Sequence, residues 1–126
     1  MFELTVERDF LATHAITIAG VPETPHEHRW RVAVAVRGDG LDADGLLCDF
    51  HEVERAIDAV IDPFRDGDLN TIPPFNTLNP TAENVAKYIA AGIEVPTGVE
   101  LHTVSVTEAP GCVATWVRPQ INRQTP

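Results

Sequence analysis

The sequence predicts an α+β domain: a four-stranded antiparallel sheet with two helices on one face, in the order strand, strand, helix, helix, strand, strand. Three observations lead there. Apolar and polar residues alternate at period two up to residue 37 and again beyond residue 100. Between these stretches, two segments with helical periodicity each follow a capping residue. Prolines gather in connections, at 22 to 25, at 73 to 74 and in the tail. A chain of 126 residues suits one domain, placed at residues 1–118, with a C-terminal tail at 119–126.

The first strand is read from residues 2 to 16, where one parity collects Phe2, Leu4, Val6, Phe10, Ala12, His14 and Ile16, with Arg8 the exception. The second runs over residues 26 to 37, with His26, His28, Trp30, Val32, Val34 and Val36 on the apolar parity. A polar turn, "RGDGLDADG", then leads to a helix for which Asp49 serves as N-cap and Glu52 completes a capping box. Phe50, Val53, Ile57, Val60 and Ile61 form its apolar face. A long loop over residues 64 to 78 precedes a second helix, with Asn79 as cap, Pro80 in the first turn and Val85, Ile89 and Ile93 as the stripe. "LHTVSVTE" and "VATWVR", joined by the turn "APGC", supply the last two strands. A four-stranded sheet of this kind has two open edges, which predicts a homo-oligomer that continues the sheet.

Nineteen acidic residues against nine basic ones give a formal charge of -10, which repels phosphate backbones and anionic membrane surfaces and argues against both as partners. Cys48 and Cys112 stand far apart in no metal or redox spacing, so a reduced, cytoplasmic setting is expected. The opening "MFELTVERDF" has neither the basic start nor the apolar run of a signal peptide.

His26 and His28, two apart on a strand, point to the same side, and antiparallel pairing of the first two strands can bring His14 beside them. Three neutral imidazoles with one open position make the pattern of a catalytic zinc site; the alternative is three ordinary half-buried histidines. His51 and His102 read as surface or packing residues.

These residues resemble the 6-pyruvoyltetrahydropterin and 6-carboxytetrahydropterin synthases. The resemblance rests on "FLATH" (10 to 14), "HEH" (26 to 28), "DF" (49 to 50), "DLN" (68 to 70), "NPTAEN" (79 to 84) and "VTEAPGCVATW" (106 to 116), in that order and spacing. It implies the tunnelling fold, in which trimers close a barrel of strands and two trimers stack into a hexamer with active sites between subunits. It also implies zinc held by His14, His26 and His28, a dihydropterin substrate whose ring is anchored by Glu108, and Thr81 near that ring; the alternatives are a strand-end surface carboxylate for Glu108 and helix-start hydrogen bonding for Thr81.

Two departures shape the expected chemistry. Pro22 stands where the pterin synthases place a catalytic cysteine, and Glu23 follows it in the pattern Glu-x-x-His-x-His of a subgroup that uses glutamate as the base; Glu27 replaces the usual glycine between the histidines. Arg65 and Asp66 stand where the family carries an Asp-His pair, which leaves Asp66 as a substitute acid or base or as a plain loop residue. Cys112, in the turn after Glu108, reads as a turn residue. The resemblance thus implies a zinc-dependent lyase acting on the side chain of 7,8-dihydroneopterin triphosphate or a related dihydropterin, with Glu23 as base. The alternative is a family member that binds zinc and a pterin or purine-like ligand without turnover.

Overall fold

In the computed structural model, which describes residues 1–120, the chain forms β1 (Phe2–His14), β2 (Thr17–Ile18), β3 (Val21–Pro22), β4 (His26–Gly38), α1 (Phe50–Ile61), β5 (Gly67–Asp68), α2 (Ala82–Gly92), β6 (Glu100–Ala109) and β7 (Cys112–Val117). Of the tail expected at 119–126, Pro119 and Gln120 are exposed and irregular, and 121–126 lie outside the described residues.

The four long strands make the antiparallel order β1-β4-β6-β7, with both helices against the same face. The sheet has one strand more than expected, because the two-residue β5 adds in parallel to the edge of β1 at Ala12 and Thr13. A second addition is the small hairpin β2–β3 between β1 and β4. Both occur in stretches too short for any periodicity to register.

Alternation decides what is buried. Val6, Phe10 and Ala12 of β1, Trp30, Val32, Val34 and Val36 of β4 and Val104 and Val106 of β6 form one continuous core with Val53, Ile57 and Ile61 of α1 and Val85 and Ile89 of α2. Each fully buried valine or isoleucine contributes roughly 1.5–3 kcal/mol of transfer free energy. Arg8, on the apolar parity, does not break the pattern. Its guanidinium grips Asp58 of α1 with two hydrogen bonds, at 2.9 and 2.7 Å, and Glu54 with a third at 2.8 Å, so it straps the helix to the strand.

Helix α1 starts as expected, with the Asp49 side chain accepting from His51 N at 2.8 Å, although the hydrogen bonds among the described residues do not include the return bond from Glu52 that would complete a capping box. Phe50 departs from the expected face: it is half exposed, while Val53, Ile57 and Ile61 are the buried residues of the helix. Helix α2 needs a correction: its N-cap is Thr81, whose hydroxyl accepts from Asn84 N at 3.1 Å, not Asn79, and Pro80 precedes the helix. Asn79 is already committed, since its side-chain amide exchanges two 2.9 Å hydrogen bonds with the backbone of Thr17.

Two measurements check these ends. Thr81→Ala should lower stability to urea by about 1 kcal/mol while Thr81→Ser should retain most of it, as expected for an N-cap hydroxyl. Backbone and side-chain hydrogen bonds from His51 hold the Asp49 carboxyl below its ordinary value of 3.8. Its cap contribution is therefore present above that value and lost as pH falls through the lower folded one, so wild type and Asp49→Ala converge in thermal stability under strong acid and separate at neutral pH.

Candidate metal centre

The centre forms where β1 ends and β4 begins. The register sets His14 opposite His26 and Ala12 opposite His28, with Phe10 opposite Trp30 one step further in. Period-two alternation then turns all three imidazoles to the core face. His14 is fully buried, and the edge of its ring meets the Trp30 ring, centroids 4.8 Å apart. The Trp30 indole N–H donates to Ala12 O at 3.1 Å and so braces the floor of the site.

Backbone carbonyls select the tautomers. His14 Nδ1 lies 2.9 Å from Pro80 O, and His26 Nδ1 lies 2.9 Å from Thr24 O. A carbonyl only accepts, so each Nδ1 carries the proton and each Nε2 presents its lone pair inward. The two Nε2 atoms then face each other at 3.1 Å. Two lone pairs at that distance repel, and a cation between them turns repulsion into ligation. The donor set therefore fits a metal ion, and the carbonyl partners are the kind of outer support that orients ligating histidines. Burial, then the neighbouring charge of His26, lowers the pKa of His28 below 6.5, which favours the neutral form that ligates.

Glu108, from the end of β6, joins this group: its carboxylate and the three Nε2 atoms all lie within 4.8 Å of one another. Glu23 stands at the rim, with Oε1 accepting from Ile16 N at 2.9 Å and lying 3.7 Å from His26 Nε2. One carboxylate oxygen is thereby fixed, and none of the hydrogen bonds among the described residues engages Oε2. Thr81 spends its acceptor on the helix cap, one residue from the Pro80 carbonyl that holds His14. Asp66 is exposed, with a positive φ of 59°, and makes no hydrogen bond or ion pair to the cluster among the described residues. Cys112, expected in the turn, is instead the exposed first residue of β7, paired with Ala109; His51 is exposed on α1 and His102 is half-buried in β6. Burial raises the Cys48 thiol above its ordinary value, which keeps it protonated.

Comparison with known proteins adds a family to this geometry. The family model for 6-pyruvoyl tetrahydropterin synthase matches residues 3–119. The chain belongs to that family. Members of the 6-pyruvoyl tetrahydropterin synthase family are lyases, and the tunnelling fold accounts for the antiparallel sheet with two helices on one face. The structure of 6-pyruvoyl tetrahydropterin synthase from Caenorhabditis elegans superposes with a TM-score of 0.74 at 22% identity, over 94% of this chain and 98% of that one. The Plasmodium vivax synthase gives 0.76 at 21% identity, over 93% and 97%. A variant of the P. vivax protein, in which alanine replaces a glutamate described as a catalytic residue, gives 0.72 at 19% identity, again over 93% and 97%. No match is found among curated proteins.

A wild-type chain loaded with zinc should hold one ion, measured by metal analysis after gel filtration. The His26→Ala, His28→Ala double variant should lose nearly all of it, since two of three converging imidazoles are gone; full occupancy in that variant would contradict the site.

Proposed function

We propose that the protein is a zinc-dependent lyase that cleaves the side chain of a dihydropterin, 7,8-dihydroneopterin triphosphate or a related compound. One observation carries this reading: three imidazoles converge, two of them with their lone pairs turned inward, beside a glutamate that has one oxygen pinned and the other free of hydrogen bonds among the described residues. His14, His26 and His28 would hold zinc, which supplies Lewis-acid polarisation of side-chain hydroxyls when bound. Glu23 takes the proton through its free oxygen. The pinning N–H of Ile16 keeps that carboxylate aimed at the cluster, so the transfer needs no search over rotamers. The catalytic glutamate of the P. vivax relative supports a carboxylate in this role. Glu108 receives the ring, because one carboxylate can accept paired N–H bonds from a ring nitrogen and its exocyclic amino group.

A second reading is a binder without turnover. It draws on Pro22 at the usual cysteine position and on Asp66, which faces solvent without a partner histidine. The two readings part in one experiment. Zinc-loaded protein is incubated with 7,8-dihydroneopterin and with its triphosphate, and products are identified by mass. Glu23→Gln should lower turnover by roughly two to four orders of magnitude while the ligand still binds. Binding without any product in wild type would establish the binder.

The assembly we infer is a hexamer, two stacked trimers. Among the described residues, most of the outer edge of β1 and all of the outer edge of β7 are unpaired, and Val113 and Val117 on β7 are more than half exposed. Sedimentation should show six copies; a 13.8 kDa monomer at micromolar concentration would remove the barrel. Among the described residues no helix is long and apolar enough to cross a membrane.

A further inference from the structure

Glu108 occupies a position that ring binding alone does not require. Its Oε1 lies 2.7 Å from His14 Nε2, 3.3 Å from His28 Nε2 and 3.9 Å from His26 Nε2, while His14 Nε2 and His26 Nε2 are 3.1 Å apart. A tetrahedral zinc ion with N and O ligands at about 2.0–2.1 Å separates each pair of ligand atoms by about 3.3 Å. These four of the six separations fall on both sides of that value and all six are within 4.8 Å, so the carboxylate oxygen lies close enough to the three imidazoles to supply a fourth corner.

The backbone explains how it gets there. Thr107 pairs with Val113 and Ala109 with Cys112, so Glu108 is an extra residue on β6, a bulge. Bulges leave one residue unpaired and re-aim its side chain. Val104 and Val106, at the preceding positions of the same parity, are fully buried against the core, which puts Glu108 next in line on the face that carries the histidines. Its side chain is only a quarter exposed.

We propose that Glu108 is the fourth protein ligand of the resting metal centre, and that it leaves the metal for the ring when a dihydropterin binds. The proposal rests on the zinc-site reading above. It makes the centre closed at rest, in contrast to a site whose fourth position always holds water. Donation from the ring's N–H groups competes for the same carboxylate, so arrival of the ring opens the coordination position that the side-chain hydroxyls need. The order of events is thus fixed by one side chain.

The test uses the full chain loaded with cobalt(II) or zinc. Wild type should show a four-coordinate visible spectrum that millimolar azide does not change and that 7,8-dihydroneopterin does. Glu108→Ala and Glu108→Gln, checked for folding by circular dichroism, should lose zinc affinity by at least the 10–100-fold typical of removing a supporting group, measured by chelator competition, and should take up azide. If both variants hold zinc as tightly as wild type with an unchanged cobalt spectrum, Glu108 is no ligand. Azide binding by wild type would exclude the closed resting centre without any variant. A wild-type chain that takes up neither metal overturns the zinc site itself, a different failure from loss of the role of Glu108.

Discussion

The pairing of β1 with β4 is the constraint on which the rest depends. It runs unbroken from Phe2 opposite Gly38 to His14 opposite His26. A slip of one residue would send every side chain of β1 to the other face, exposing Val6 and Phe10 and removing His14 from the cluster in a single change. Packing of the core and assembly of the site are therefore one event. Arg8 reinforces the register from the side, because its three hydrogen bonds to α1 form only when that arginine faces the helices.

Much of this is legible in the sequence, and the reason is the period of two. Parity alone places His14, His26 and His28 on one face and gives the two long N-terminal strands to within a residue or two of their observed ends. What parity cannot supply is the identity of hydrogen-bond partners. Asn79 looks like an N-cap because the residue type suits one, yet its amide is used by Thr17, 62 positions earlier in the chain. Only tertiary structure reveals that competition. The same holds for the Pro80 and Thr24 carbonyls that set the tautomers, since a backbone oxygen leaves no trace in residue identity.

The resemblance to the family motif singles out Glu108 as a candidate ring anchor but does not make it a neighbour of the histidines. The bulge that places it depends on how β6 meets β7, a pairing that neither strand encodes alone. Arg8 shows the opposite case: an apparent error in the alternation is an ionic strap whose partners, Glu54 and Asp58, lie 46 and 50 positions away.

The stretch from Ala15 to Thr17 leaves the sheet without losing its hydrogen bonds. Asn70 exchanges bonds of 2.8 and 2.9 Å with the N–H and carbonyl of Ala15, and Asn79 does the same for Thr17. Each side-chain amide imitates one peptide unit of a neighbouring strand. Two clamps of this kind fix the chain on the His14 side of the small hairpin, and the Glu23 N–H to Ile16 carbonyl bond fixes it on the return. The hairpin tip, Ile18 to Val21, hangs outside those clamps and is exposed. Its length and composition are thereby decoupled from the positions of His14 and Glu23, which makes the tip a place where a protein engineer can add, remove or graft residues while those two side chains stay where they are.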